Sequence, residues 1–340
     1  MNGHQRISAA LKGEKPDKIP VMLHNFMPAA KEAGLTMKQY RENPKEIARA
    51  FIESVEKYRY DGVLVDIDTV TLAGACGVKV DFPDNDPARS HTGYLTEDAG
   101  LPGLGIPDLS SYPYSANWLE STRLIKNYFG DEIFVRGNCD QAPFSLASML
   151  RGTENWMLDF YMAEESRIRE LLDYCTEVCI QFINLMAQTG CDMVSNGDSP
   201  AGPDMINPDL YVKYAMPYEQ KLVETAHKNG LPYVLHICGN TEAILPQMME
   251  TGADGLELDY KTDVNKAYML MHDRCTFLGN VDPSGILALG TPDQVREATT
   301  ELLEVFSKTN RFVLNAGCAL PPGTPSKNIS EFISTARNWK

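Results

Sequence analysis

The sequence predicts an α/β fold in which a single (β/α)8 TIM barrel takes up residues 1–340. Two observations lead to this fold class: short apolar segments that close on a small or polar residue, and long segments of helical periodicity between them. Strands that alternate with helices are typical of a parallel sheet, and eight such units are typical of a closed barrel. A doubly wound open sheet is the second choice because it seldom needs eight units.

Eight segments are rich in Val, Ile, Leu or Phe, which is the composition of buried parallel strands. They are residues 18–25, 62–68, 132–139, 191–198, 232–239, 255–260, 275–282 and 311–318. The clearest helical segments between them are residues 44–58, 159–188, 211–229 and 292–308. Residues 80–114 contain many Gly and Pro and lack this regularity, so we expect an irregular excursion over the barrel mouth.

The chain is acidic, because 31 Lys and Arg oppose 46 Asp and Glu, which gives a net charge of −15. Such a surface repels phosphate backbones and anionic lipid, so we expect neither nucleic acid nor a membrane as a partner. The sequence has no run of roughly 18 apolar residues, and its first residues lack the apolar centre of a secretion signal. It therefore predicts a cytoplasmic protein whose eight cysteines are reduced.

Catalytic groups of (β/α)8 barrels lie at the C-terminal ends of the strands, so the polar and thiol side chains that end the predicted strands are the candidates. They are Asn25, Asp66, Asp68, Cys139, Asn196, Asp198, His236, Cys238, Glu257, Asp259, Asn280, Asp282 and Cys318. Among them we expect Asp68, Asn196 and Asp198 to orient the substrate or to hold a metal-bound histidine through its second nitrogen.

A metal site is predicted where the fifth and eighth strands end. His236 and Cys238 are two residues apart, so the alternation of a strand places both on the side of the barrel mouth. Cys318 follows a glycine at the end of the eighth strand and can reach the same point from another wall. One imidazole and two thiolates suit Zn²⁺, and three protein ligands with an open fourth position are typical of a catalytic zinc.

The other cysteines and histidines have no comparable pattern. We expect the cysteines to pack as small buried hydrophobes, with Cys139 alone at a strand end near the site. These cysteines are Cys76, Cys139, Cys175, Cys179, Cys191 and Cys275. The histidines that we expect not to bind metal are His4, His24, His91, His227 and His272.

Several motifs resemble those of the uroporphyrinogen decarboxylase superfamily over nearly the whole chain. The most specific is the tail at residues 322–329 (PGTPSKNI). The other motifs are residues 10–13 (ALKG), 17–21 (DKIPV), 142–147 (APFSLA) and 279–283 (GNVDP). The superfamily fold is a (β/α)8 barrel, so the resemblance implies the same fold as the strand count.

The resemblance separates two chemistries. A decarboxylase of this superfamily would have arginines where this chain has Asn25 and Ala29, a tyrosine at Met149 and a histidine at Cys318. Only Asp68 keeps its place in that pattern. Because neither Asn nor Ala binds a carboxylate as Arg does, the resemblance disfavours the decarboxylation of an acid-rich tetrapyrrole.

The second chemistry is that of the corrinoid-dependent methyltransferases, whose zinc site His236, Cys238 and Cys318 resemble position by position. The resemblance implies an enzyme that moves a methyl group between a methylated corrinoid and a zinc-activated thiol such as coenzyme M. Nothing in the chain resembles a corrinoid-binding domain. We therefore expect the corrinoid, methylcobalamin in its methylated form, to be carried by a separate partner protein that docks near residues 80–114.

Three alternatives remain at this point. Zinc could act as a Lewis acid on a methoxy or other methyl donor, with a Co(I) corrinoid protein as the acceptor. The chain could still be a porphyrinogen decarboxylase. It could also be a binding barrel without catalytic activity, in which four protein ligands hold a structural zinc.

Overall fold

Parallel strands form the centre of the molecule. The computed structural model describes residues 1–90, 93, 95 and 104–339. Its strands are β1 (Met22–Leu23), β2 (Gly62–Val65), β3 (Val80–Asp81), β4 (Arg89–Ser90), β5 (Phe134–Gln141), β6 (Met193–Gly197), β7 (Tyr233–Ile237), β8 (Gly255–Leu258), β9 (Thr276–Val281) and β10 (Phe312–Ala316).

Eight of these strands pair in parallel in the order β1, β2, β5, β6, β7, β8, β9, β10. A parallel bridge between Val21 and Leu314 joins the first strand to the last, and the Leu314 N–H donates to the Pro20 carbonyl at 2.9 Å. The sheet is therefore a barrel, which confirms the predicted fold class. The first strand is shorter than residues 18–25, because only two residues pair regularly before a helix begins at Phe26.

Helices surround the barrel and connect its strands. They are α1 (Gly3–Lys12), α2 (Phe26–Glu32), α3 (Met37–Glu42), α4 (Pro44–Tyr58), α5 (Thr71–Ala75), α6 (Pro113–Phe129), α7 (Pro143–Arg151), α8 (Thr153–Met162), α9 (Glu165–Ala187), α10 (Pro208–Tyr214), α11 (Met216–Lys228), α12 (Leu245–Glu250), α13 (Val264–Met271), α14 (Pro292–Phe306) and α15 (Ser326–Asn338). Among these described helices, none is both long and apolar enough to cross a bilayer.

Two predicted helices are broken in the structure. Residues 159–188 divide between α8 and α9, because Ala163 adopts an extended conformation with φ −90° and ψ 156°. Residues 211–229 divide between α10 and α11, where Pro217 lacks the N–H that would continue the earlier helix. In both cases the helical spacing of apolar residues continues across the break. A break of only one or two residues is too short to be detected from that spacing.

The N-terminal end of the barrel is closed by apolar side chains. Ile7 and Ala10 of α1 pack against the first inward-facing residues of the strands, including Met22, Phe134 and Val234. All five are 2% exposed or less. A barrel that is filled at this end leaves only the opposite end, where the strands terminate, for a ligand cavity.

The segment at residues 80–114 begins with a small antiparallel hairpin of β3 and β4 and ends inside α6. Arg41 of α3 fixes the hairpin by donating to the carbonyls of Pro83 (3.1 Å) and Asp86 (2.8 Å). Pro87 of the hairpin lies on the cavity at the barrel mouth. His91 lies outside the described residues.

Candidate active site

The predicted metal ligands converge at the C-terminal end of the barrel. His236 is the penultimate residue of β7, and Cys238 lies one residue beyond that strand. Cys318 lies two residues beyond the end of β10. His236 Nε2 lies 3.0 Å from Cys238 Sγ, and the two sulfurs are 3.8 Å apart. The three ligand atoms all lie within 4.8 Å of one another.

This geometry fits a tetrahedral zinc. Two sulfurs that each lie about 2.3 Å from such an ion are about 3.8 Å apart, which is the distance between Cys238 and Cys318. His236 directs Nε2 toward them because the backbone carbonyl of Glu257 lies 2.9 Å from Nδ1, the kind of contact that fixes metal-bound histidines. No further His, Cys, Asp or Glu among the described residues joins this group, so its donors leave a fourth position for a substrate.

Cys238 carries the negative charge of this group. The hydrogen bond with Cys318 and the nearby His236 lower the pKa of Cys238 to about 3, although its burial opposes the change. Burial lowers the pKa of His236, but the Cys238 thiolate and Glu257 outweigh it and raise the value to about 10. The same hydrogen bond, burial and the negative Cys238 raise the pKa of Cys318. The Cys238 thiolate and the His236 imidazolium therefore face each other, and a bound metal would displace the protons of His236 and Cys318.

A cavity of about 210 Å³ lies above the three ligands. Its wall is formed by side chains from several strand ends and from the loops after them. They are His24, Phe26, Met27, Leu64, Asp66, Asp68, Thr69, Pro87, Arg136, Asn138, Asp140, Gln141, Asn196, Gly197, Ser199, His236, Cys238, Glu257, Cys318 and Ala319. The three predicted ligands are thus open to a small molecule that enters from the mouth.

One ion pair and one histidine–carboxylate contact occupy part of this wall. Arg136 and Glu257, both about 2% exposed or less, pair directly across the barrel, and Arg136 also donates to Ser195 at 2.8 Å. Burial opposes ionisation of Glu257, but Arg136 and His236 keep the pKa of this carboxyl low. His24 Nε2 lies 2.6 Å from Asp66 Oδ2. His24 is not among the clustered ligand atoms of the described residues.

The remaining strand-end candidates do not line this cavity. Asp259 accepts from the Gly239 N–H at 2.9 Å and so fixes the loop that carries Cys238. Asn280 donates to the Asp259 carbonyl at 3.1 Å. The candidates that do not line the cavity are Asn25, Cys139, Asp198, Asp259, Asn280 and Asp282.

Of the three polar residues expected to contact substrate or His236, Asp68 and Asn196 line the cavity and Asp198 does not. The His236 Nδ1 lies against the Glu257 carbonyl instead of any of the three. Asn196 donates to the Cys139 carbonyl at 2.6 Å and accepts from Tyr233. Asp198 is buried, with its Oδ1 accepting from the N–H and hydroxyl of Ser145.

Sequence reasoning missed Arg136 and Asp140, which both line the cavity. Arg136 lies within a strand instead of at its end, and Asp140 lies one residue past the predicted end. The available signal was the spacing of Arg136, Asn138 and Asp140, because alternate residues of a strand share one face.

Residues 2–339 match the profile of the family described as Uroporphyrinogen decarboxylase (URO-D). The chain belongs to this family. The family includes relatives with two different names. The methylcobamide:CoM methyltransferase MtbA of Methanosarcina acetivorans is 32% identical over 222 residues, which are 65% of this chain and 63% of that relative. The uroporphyrinogen decarboxylase of Prochlorococcus marinus (strain NATL1A) is 26% identical over 97% of this chain and 95% of that relative.

A solved structure described as a methyltransferase from Methanosarcina mazei has the same architecture. It superposes with a TM-score of 0.89 at 25% identity, and the match covers 99% of this chain and 98% of that one. The family and the fold that the motifs implied are therefore confirmed.

The family's two activities differ in what the barrel mouth must bind. Asn25 and Ala29, where the resemblance places decarboxylase arginines, are 1% exposed and do not line the cavity. Asn25 instead donates to Ser54 at 2.9 Å. Arg136 is the only Arg or Lys among the described residues of the wall, and it is paired with Glu257. A substrate with several carboxylates would find no free cation there.

Proposed function

We propose that this URO-D family member is a zinc-dependent methyltransferase that transfers a methyl group from a methylated corrinoid to a small thiol. The relative MtbA is named for transfer to coenzyme M, which is a small thiol. The single observation that carries the proposal is the group formed by His236 Nε2 and the sulfurs of Cys238 and Cys318, which lies beneath a cavity and has a free position.

In this proposal His236, Cys238 and Cys318 hold the zinc. When bound, zinc would lower the pKa of a substrate thiol so that its sulfur is a thiolate at neutral pH. The two protein thiolates and the neutral imidazole balance the charge of the ion, which leaves the substrate sulfur nucleophilic. The new sulfur–carbon bond forms as the cobalt–carbon bond breaks, the thiol proton goes to solvent, and both electrons of the broken bond remain on the corrinoid.

The three polar residues have different roles in the proposal. Asp68 contacts the substrate, since it lines the cavity. Asn196 is a positioning residue, because its amide fixes the carbonyl of Cys139 just before Asp140. Asp198 is also a positioning residue, because its backbone N–H donates to the His236 carbonyl at 2.8 Å.

We propose that the corrinoid arrives on a separate protein. The cavity is about 210 Å³, which suits a small thiol, and a corrinoid must therefore approach from above the mouth. Pro87 of the hairpin lies at that mouth, so the 80–114 segment is the proposed docking side. The protein is proposed to work in the cytoplasm.

The proposal is tested by metal analysis together with a transfer assay. We expect one zinc per chain, and we expect methylcobalamin to lose its methyl group to a thiol with the spectrum of cob(I)alamin or cob(II)alamin appearing. Cys238→Ser provides the inactive control. Carbon dioxide release from uroporphyrinogen, or methylation of a Co(I) corrinoid by a methoxy donor without any reaction of thiols, would overturn the proposal.

A further inference from the structure

Two carboxyl groups on one side of the cavity each have an oxygen without a partner. Asp68 follows β2 and Asp140 lies in β5, and both line the cavity at 2% and 1% exposure. One oxygen of each is tied to the turn that begins α5. Asp68 Oδ1 accepts from the Val70 N–H and the Thr71 hydroxyl, both at 2.9 Å, and Asp140 Oδ2 accepts from the Leu72 N–H at 2.7 Å.

The second oxygens, Asp68 Oδ2 and Asp140 Oδ1, are buried and have no hydrogen-bond partner. A buried oxygen of this kind costs free energy unless something donates to it. Because both groups are anchored to one turn through their other oxygens, neither can rotate to satisfy itself without breaking those bonds. The pair is therefore a fixed acceptor site on the cavity wall.

The backbone is arranged to present Asp140. The register of β5 against β6 shifts between Asn138 and Gln141, so an irregularity lies at this residue. Asp140 itself has φ +60°, a left-handed conformation that non-glycine residues seldom adopt. Asn196 holds the irregular backbone by donating to the Cys139 carbonyl at 2.6 Å. Conformations of this kind persist where the surrounding structure enforces them.

No cation of the described wall reaches these oxygens. Arg136 is paired with Glu257, and His24 lies against Asp66. Arg41 is close enough to favour ionisation of Asp68, but its guanidinium donates to two backbone carbonyls of the hairpin. Burial raises the pKa of Asp68 and that of Asp140, with neighbouring carboxylates adding to the effect. A cationic donor on a bound ligand would give the two free oxygens a hydrogen-bond partner and would favour the ionised form of both carboxyls.

We infer that Asp68 and Asp140 bind a protonated amine of the substrate, so that the methyl acceptor is an aminothiol instead of an anionic thiol. The inference rests on the proposed function for the thiol. An ammonium group provides hydrogen bonds and positive charge for both free oxygens, whereas a hydroxyl provides no charge. A sulfonate would meet two carboxyls and no free cation, which disfavours it.

Three thiols that differ only in their end group test this inference. 2-Aminoethanethiol, 2-mercaptoethanol and 2-mercaptoethanesulfonate share the same two-carbon chain and end in an ammonium, a hydroxyl and a sulfonate. Their binding to the protein as purified is measured by calorimetry, and methyl transfer from methylcobalamin is measured in parallel. We expect the amine to bind about tenfold more tightly than the alcohol, and the sulfonate to bind most weakly.

Asp140→Asn and Asp68→Asn should each remove the preference for the amine, so that the affinities of the amine and the alcohol differ by no more than about twofold. Asn keeps an oxygen for the Leu72 N–H, so Asp140→Asn is the milder change. Asp131→Asn is the matched control, because Asp131 is 85% exposed and remote from the cavity wall. Zinc content and circular dichroism show whether each variant is folded.

The outcomes separate the inference from the proposed function. Selective binding of the amine without transfer to any thiol would overturn the proposed function and leave the carboxyl pair as an amine site. Transfer to all three thiols without an amine preference, or a preference that survives both Asn variants, would overturn the inference and leave the methyltransferase. Loss of the preference in both variants together with transfer would support both.

Discussion

The two ends of the barrel each carry a three-residue group that could hold a metal, and the two groups differ in how their charge is balanced. At the N-terminal end, His4, Asp131 and Asp192 have ligand atoms within 4.8 Å of one another. Lys126 pairs with both acids there, at 3.2 and 2.7 Å. At the C-terminal end, no Lys or Arg among the described residues pairs with Cys238 or Cys318. Clustering of ligand types is therefore not sufficient, and the absence of a resident cation distinguishes the group that we propose to hold zinc.

The same contrast extends to the carboxylates around each group. Asp61 at the N-terminal end is 2% exposed and binds Arg6 (3.0 Å), Arg337 (2.7 Å) and the Val21 N–H (2.8 Å). Asp68 and Asp140 at the other end keep oxygens without partners. In barrels of this type the first end contributes stability and the second carries chemistry. In our inference, these oxygens at the mouth remain unpaired because a ligand completes them.

The largest expected effect is that of Cys318→Ala, which removes one of the proposed ligands. We expect zinc affinity to fall by more than about 100-fold, since even residues that only orient a ligand change it by about 10- to 100-fold. Methyl transfer should then be undetectable. Elemental analysis and the methylcobalamin assay check both expectations.

Cys275→Ala is the matched control, because Cys275 is a buried cysteine whose thiol contacts the backbone carbonyls of Ala253 and Thr276 and no side chain of the predicted metal site. It should keep one zinc per chain and full transfer activity. A Cys318→Ala protein with full metal and activity would remove Cys318 from the site and erase the distinction between the two ends.

Asp61→Asn tests whether the N-terminal end of the barrel contributes stability and not activity. The change removes a buried carboxylate that two guanidiniums share, and the new amide presents N–H groups to donors. Breaking one partner of such a pair costs about 3 kcal/mol of unfolding free energy, which denaturant titration measures. Transfer activity per folded molecule should be unchanged, because the residue lies at the opposite end from the cavity. An equal loss of zinc would contradict the division between the ends.

Much of the site follows from local rules that the sequence contains. Two-residue alternation places His236 and Cys238 on one side, and barrel closure brings Cys318 to them. The orientation of Asp140 does not follow, because it depends on an irregular register between β5 and β6. The pairing of Arg136 with Glu257 also requires the relative positions of two distant strands, which no local pattern specifies.

Asp198→Asn should raise the free energy of unfolding near neutral pH, whereas Asp61→Asn should lower it. Asp198 and Glu219 are both 0% exposed and each has a carboxyl oxygen without a partner, so the two groups require a shared proton. Burial raises the pKa of Asp198 to about 6, and burial together with the neighbouring Asp198 raises the pKa of Glu219 well above its usual value. The folded state therefore binds more protons than the unfolded chain above about pH 4, and stability falls as pH rises through about pH 6.

An amide at position 198 donates to Glu219 without needing that proton. We expect the unfolding free energy of Asp198→Asn relative to the unchanged protein to increase by about 2 kcal/mol between pH 4 and pH 7. Denaturant titration at several pH values measures it. A difference that stays constant with pH, or that shrinks as pH rises, would show that the pair is not held by a shared proton.

The smallest expected effect is that of His4→Ala on metal content. His4 Nε2 contacts Asp192 at 3.2 Å, but Lys126 already provides a positive charge to that carboxylate, and the Val135 N–H donates to its other oxygen. A divalent cation would have to displace Lys126 before it gained those oxygens, so we expect none to bind under conditions that load one zinc at the mouth. His4→Ala should leave the zinc stoichiometry at one per chain and leave transfer intact. Two zinc ions in the unchanged protein and one in His4→Ala would mean that the N-terminal group binds metal despite its lysine, and charge balance would no longer separate the two ends.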